Sequence, residues 1–408
     1  MNTNQISLPH PRTRRRLRTV GAASATAAML LAALAGAASP SAADTSPDPW
    51  VYSWGPNASG ELGNGSTVAL QTPGPVQGLA RQDVKQLAAG GNGATGPFAV
   101  ALLKNGTLKS WGDNAQGQLG DGTVKARSFP AAVVGLSGVQ SLAVGCNHAL
   151  VLKNGRVWAW GRNDSGQLGD GSTSAKDIGS GKPVAVQGLD KVKAIAAGCH
   201  FSMALRQDGT VWTWGSNDKG QLGIGGTTNR STPQQVPGLT EVLTLAPGSS
   251  HAAVLTAGRT VKAWGLNDKG QLGNDTILDS GTPVDVKHLE GVEKLVAGSS
   301  HHVAVLSDGS VKGWGRNTEY ELADGTTVNR TTPVPIEGLN NVRDIAAGNL
   351  HTVAVREDQS VIGWGYNGYG QLGDGTTTSA VKPVTVIPAG SGVNRVAAGC
   401  TGNGSFAY

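Results

Sequence analysis

Four histidines stand three residues after a glycine at one recurring position: His148, His251, His301 and His351. Imidazole titrates near neutrality and ligates metals, so such a set could hold a cation or relay protons. Each falls in a separate repeat, which sends the side chains apart, and His200 is one position out of register. The expected role is structural, with the imidazole bonding backbone in the turn that follows the glycine. Recurrent Asn and Asp, as in Asn163-Asp164 and Asp170-Gly171, raise the question of Ca²⁺. They lack the carboxylate density and closing Glu of a calcium loop, and Asx turns account for them. No Gly-x-Ser-x-Gly elbow, phosphate loop, His-Glu-x-x-His pair or dinucleotide fingerprint occurs. The residues offer no catalytic constellation, and neither a metal nor a cofactor is expected.

What positions these residues is an internal repeat. Trp-Gly-x-Asn starts at Trp54, Trp111, Trp160, Trp214, Trp264, Trp314 and Trp364, at intervals of 57, 49, 54, 50, 50 and 50 residues. Gly-Gln-Leu-Gly or a close variant follows each Trp, as in Gly117-Gln118-Leu119-Gly120. An apolar alternation ends at Gly90, Gly145, Gly198, Gly248, Gly298, Gly348 and Gly399. In one unit, residues 292–298, 301–306, 311–314 and 332–336 read as four strands, with a tight turn at Asp308-Gly309. Four short strands at a period near 50 make a propeller blade. The fold expected is all-β, a seven-bladed β-propeller with four-stranded blades. Its ring closes through a composite blade, because Trp50–Trp54 supplies a third strand while residues 393–399 and 404–408 supply a first and a second. The seven repeat Trp are expected in the blade cores, with Trp158 and Trp212 on the same side of their strands.

These motifs resemble the regulator of chromosome condensation repeat family, from Asp48 to the C-terminus. The resemblance rests on Trp-Gly-x-Asn, Gly-Gln-Leu-Gly, and the Ala-Gly-x-x-His of Ala297–His301 and Ala347–His351. It implies a seven-bladed ring with overlapping ends. It also implies an alternative activity, guanine-nucleotide exchange like that of the founding member. Fold alone does not decide between functions.

Residues 1–43 have a different composition. Arg12, Arg14, Arg15, Arg16 and Arg18 precede an apolar run from Val20 to Ala38, and Ser41-Ala42-Ala43 offers small residues for cleavage. The segment reads as a cleaved signal peptide, of Sec or twin-arginine type, and residues 44–408 as one propeller domain. Removing its five Arg from the 33 basic residues leaves 28 against 28 acidic, a formal net charge of zero. With no later basic run, nucleic acid is not an expected partner. The mature chain is expected to be secreted, with no transmembrane anchor, as a monomer or a subunit of a secreted complex.

Cys146, Cys199 and Cys400 each follow the glycine that ends the apolar alternation. Three cysteines do not make a disulfide framework, and small buried thiols near the propeller axis are expected. Departures from the repeat are more telling. Residues 91–97, including Asn92 and Thr95, form a Gly-rich insertion between first and second strands. Residues 175–181, including Asp177, are an insertion between third and fourth strands. Both loop classes emerge on one face of an up-and-down ring, and insertions on one face mark a binding face. Tyr320 replaces a repeat glycine on that face, and Tyr366 and Tyr369 sit in the next loop. Tyr is a favoured interface anchor, although ordinary loop packing also accounts for it. The function expected is a non-enzymatic binding module for a protein or cell-surface ligand, with exchange activity or glycan binding as alternatives.

Overall fold

The computed structural model describes residues 49–92, 95–174, 179–399 and 402–408. Among them, seven four-stranded antiparallel sheets follow one another around a ring, and Arg81–Asp83 is a single 3-10 turn. We number the blades from the one that holds Trp54. The sixth runs Val292–Ala297, His301–Leu306, Val311–Gly315 and Arg330–Pro335, close to the strands expected. Its Asp308-Gly309 corner is longer than a two-residue hairpin. Leu306 N donates to Ser310 O and Gly309 takes φ +81°, as in a turn closed by a left-handed glycine. The first strands face the axis and line a central channel of about 330 Å³, with Ala143, Ala196, Ala246, Ala297 and Ala346 on its wall.

The first blade is composite, as its sequence halves require. Leu70–Ala80 and Trp50–Gly55 come from one end of the chain, Ser405–Ala407 and Val396–Ala398 from the other. The seal is the antiparallel pairing Tyr52↔Ala407, Ser53↔Phe406 and Trp54↔Ser405. Closure completes the first sheet, so that each blade keeps only a short inner edge at the channel and an outer edge at the rim.

Every repeat Trp is fully buried, and each belongs to a hydrophobic cluster drawn from two successive blades. Trp158 and Trp212 pack partly buried against the clusters of Trp160 and Trp214, on the side expected. The indole N–H reaches out of its own blade. All seven Nε1 atoms donate to the main-chain carbonyl of the Gln or Glu in the preceding blade, at 2.8–3.1 Å. Trp54 closes the circle by donating to Gln371 O at 2.8 Å. The glycine after each Trp has φ between +95° and +108°. A Cβ on Gly161 would lie 2.3 Å from Asn147 O, so the chain leaves the third strand only through a glycine.

The histidines tie blades together, by a route the sequence did not indicate. In place of backbone partners, His148 Nε2 meets Ser202 Oγ at 3.0 Å, His301 Nε2 meets Thr352 Oγ1 at 3.2 Å, and His351 Nε2 meets Ser405 Oγ at 2.8 Å. Each hydroxyl belongs to the next blade. Where that position holds His302, the ring of His251 stacks edge-on against it at 4.7 Å, so these side chains converge. The cysteines also depart from expectation. Cys146 and Cys199 form a disulfide between the third and fourth blades, with Cα atoms 4.5 Å apart. Equal repeat positions on adjacent blades face each other near the axis, within the distance a disulfide spans. Cys400 lies outside the described residues.

Deleting residues 393–408 removes two strands of the first blade and strips Trp50–Gly55 of its inner partner. We expect loss of cooperative melting, or aggregation through the bared edge. An unchanged melting curve would overturn the closure.

Burial lowers the imidazole pKa to about 3 in His148 and His301 and to about 4 in His302 and His351, with neighbouring imidazoles adding to it in His148 and His301. These rings stay neutral when folded but take up protons when unfolded below about pH 6.5. Their stabilisation is therefore complete above that pH and is lost as pH falls towards 4. The melting temperature should drop by about 5 °C or more between pH 7.5 and pH 4.5. His302→Thr, which installs the residue found at position 352, should flatten that drop. An equally steep drop in the variant would count against the assignment.

Candidate binding face

First-to-second and third-to-fourth strand connections share one face of the ring, and the long Trp-Gly-x-Asn loops lie there. The repeat Asn builds each of these loops from within. Its Oδ1 accepts from the amide of the Leu five residues on, at 2.9–3.0 Å in all seven blades. Its Nδ2 donates to later carbonyls, as from Asn317 to Thr326 O at 2.9 Å. The repeat Gln adds a second brace. Gln118, Gln167, Gln221 and Gln271 accept from the amide two residues before them through Oε1. Their Nε2 atoms donate to Asp113, Asp164, Asp218 and Asp268 at 2.6–3.2 Å. Side chains thus satisfy the loop's polar groups from within it, and the Asn and Asp are used up as loop scaffolding.

Three adjacent blades break this scheme. In the sixth, Tyr320 and Ala323 hold φ +64° and +46° where the other loops have glycine. A Cβ at the equivalent glycines would lie 2.5–2.9 Å from the next blade. A crevice of about 330 Å³, lined by Ala323, Asp324, Arg330 and Lys382, lies beside this loop. Glu321 replaces the repeat Gln and sits 3.2 Å from the guanidinium of Arg316. In the seventh, Tyr366 and Tyr369 meet edge to face at 5.9 Å, and Gln371 Nε2 is buried without an acceptor.

In the first, Glu61 replaces the repeat Gln. Its Oε2 accepts from Ser59 N at 2.9 Å, and its buried Oε1 has no partner among the described residues. Burial raises the Glu61 pKa, and the negative field of Asp113 adds to the rise. Glu61 lines a pocket of about 280 Å³ with Pro56, Ala58, Pro97, Tyr369 and Asn403. Asn403 Oδ1 is buried there and also lacks a donor among the described residues.

Of the residues singled out from sequence, the structure brings Tyr366 and Tyr369 together and puts Tyr369 on the pocket wall, 49% exposed. Tyr320 is half-buried in the neighbouring loop and forms no ring pair with them. Asn92 and Thr95 pair across the end of a hairpin, and Asp177 lies outside the described residues. Glu61 and Asn403 were missed. A comparison of repeats carries the signal, since Glu61 replaces Gln while Pro56 and Ala58 stand where other blades supply a polar partner.

Two other places hold grouped chemistry. His200 Nε2 lies 3.3 Å from Cys199 Sγ beside the disulfide, whose bonded sulfurs leave no thiolate there for a metal. On the opposite face, a cleft of about 680 Å³ collects Arg81, Lys85, Lys104 and Arg395 near Tyr408. Among the described residues, no helix is long and apolar enough to cross a membrane.

The chain is similar to part of the E3 ubiquitin-protein ligase HERC2 of Homo sapiens, at 34% identity over 181 residues, which is 43% of this chain and 4% of that protein. It is 32% identical over 185 residues to the Ultraviolet-B receptor UVR8 of Arabidopsis thaliana, covering 45% of this chain and 29% of the receptor. It thus spans under a third of the length of either. Prp20p from Saccharomyces cerevisiae superposes with a TM-score of 0.76 at 24% identity, over 88% of this chain and 91% of that one. Human WBSCR16 does so with 0.75 at 23% identity, over 88% and 98%. At such identities the likeness is one of fold. The model of the RCC1-like domain matches residues 41–407. With all seven blades inside that match, the chain belongs to the RCC1-like domain family.

Proposed function

We propose that this chain is an exported, non-enzymatic module that binds a protein ligand through the loop face of its sixth, seventh and first blades. The observation that carries this is the clustering of departures from the repeat. Four loops carry the bond from Gln Nε2 to Asp, whereas three neighbours on the same face lack it and present tyrosines, a strained backbone and a pocket with unpartnered oxygens. Exposed aromatic side chains over a preformed concavity suit protein recognition. Binding by this fold has precedent, since Prp20p is described by its binding to Gsp1p and histones. The basic leader supports export, and so does the Cys146–Cys199 disulfide, because such bonds persist in oxidising compartments.

The test is affinity capture from culture medium and cell envelope with wild-type protein and with Tyr366→Ala and Tyr369→Ala. At least one variant should weaken the captured partner about tenfold, or about 1.4 kcal/mol. Lys104→Ala, on the opposite face, should not. Equal capture by all variants would move the site off this face, and no reproducible partner would sink the proposal.

Tyr320 offers a separate check. An L-residue held at positive φ costs on the order of 1 kcal/mol, which glycine avoids. Tyr320→Gly should therefore raise stability by about that amount in a denaturant melt, while weakening the partner. A destabilised variant would mean that the Tyr320 ring contributes more as packing than its backbone loses as strain.

A further inference from the structure

The repeat supplies its own controls for the pocket beside Glu61. In four blades the residue at this position is a Gln whose Nε2 donates to an Asp of the same loop. In the sixth blade the residue is Glu321, and a cation arrives with it: Arg316 Nε, two residues after the repeat Trp, stands 3.2 Å from Oε1 as an ion pair, although that oxygen, like Oε1 of Glu61, accepts no hydrogen bond among the described residues. In the first blade the residue is again a glutamate, but the position of Arg316 is taken by Pro56 and that of Thr318 by Ala58. Glu61 is 4% exposed, its Oε1 has no partner among the described residues, and the like charge of Asp113 acts on it. A carboxylate buried this way is disfavoured unless it takes up a proton or a donor or cation is brought to it.

The pocket is built to admit one. Its walls include Pro56, Ala58, Ala69 and Pro97, with the ring of Tyr369 at its exposed side. Asn403, 5% exposed, supplies a second buried oxygen without a donor. Two acceptors at the wall of an apolar recess suit a compact head with few N–H groups on a hydrocarbon stem. A guanidinium, with five donors in a rigid fork, would leave most of them unpaired there. About 280 Å³ is ample for four methylenes and an ammonium head.

We propose that this pocket binds a primary ammonium group on an apolar stem, with the Glu61 carboxylate as its ion-pair partner and Asn403 Oδ1 as a second acceptor. A lysine side chain of a partner protein and a free alkylamine share this chemistry. The lysine source rests on the function proposed above, whereas the free amine stands without it.

The experiment titrates the purified chain with n-butylammonium and with Nα-acetyl-lysine methylamide, followed by saturation-transfer NMR, with n-butanol as the neutral control. Glu61→Gln is the informative variant, because Gln is native at positions 118, 167, 221, 271 and 371 and the loop accommodates it. Saturable binding of n-butylammonium, weakened at least tenfold in Glu61→Gln with an unchanged melting curve, is the expected result. Binding and mutual competition by the lysine amide would admit a protein source, and its failure alone would confine the site to free amines. No binding of either amine to wild type would overturn the proposal. So would equal binding to Glu61→Gln, or n-butanol binding as well as the amine does. Loss of partner capture in Tyr366→Ala or Tyr369→Ala without amine binding would leave the loop face standing and remove only the pocket. Amine binding with no captured partner would do the reverse.

Discussion

The hydrogen bond from each repeat indole to a main-chain carbonyl of the preceding blade is the interaction on which the ring depends. The donor is fully buried, so leaving it unmade would cost about 1–3 kcal/mol, and it recurs at every junction. It also couples two layers of the structure. The accepting carbonyl belongs to the Gln or Glu of the Gly-Gln-Leu-Gly loop, whose shape the repeat Asn sets through the next residue, Leu. A loop on the candidate face is therefore held in place by the core of the following blade. The hydroxyls of Ser202 and Ser405 reinforce this, each donating to the same carbonyl that receives the indole and meeting a histidine from the blade before.

The architecture was legible in the sequence because its cause is periodic. Trp-Gly-x-Asn and the alternation ending in glycine mark strands three and one, and both survive every change in loop length. The composite blade could be read from the two incomplete ends. Partners across a blade junction were not legible in the same way. Trp160 donates to a residue 42 positions away and Trp54 to one 317 away, and no local pattern distinguishes these carbonyls from others. The disulfide escaped for a related reason. Cys146 and Cys199 are equivalent by repeat, and counting cysteines says nothing of which equivalent positions touch when blades are set side by side. His302 is a further case, since its neighbours along the chain do not show that it replaces a hydroxyl in a series of inter-blade contacts.

The candidate site was half legible. Tyr320, Tyr366 and Tyr369 stood out as residue types that do not belong in glycine-rich turns. Glu61 did not stand out, because a Glu in place of Gln looks conservative until the loop's internal hydrogen bonds are known. Its meaning comes from what is absent around it: Arg316 accompanies Glu321, and proline fills the matching position beside Glu61. A repeat protein thus carries its own set of natural substitutions, and the odd blade can be judged against its siblings in one molecule.

The seal of the ring has a mechanical corollary. Tyr52, Ser53 and Trp54 run antiparallel to Ala407, Phe406 and Ser405, so the chain enters and leaves the first blade at the same end of that strand pair. A pull on the two ends loads these rungs in sequence, beginning at Tyr52↔Ala407, in the manner of a zipper. A ring closed in this way is soft towards tension applied across its ends. The first event under load would be the peeling of Ser405–Ala407 from Trp50–Gly55, with the Cys146–Cys199 link and the blades around it still intact.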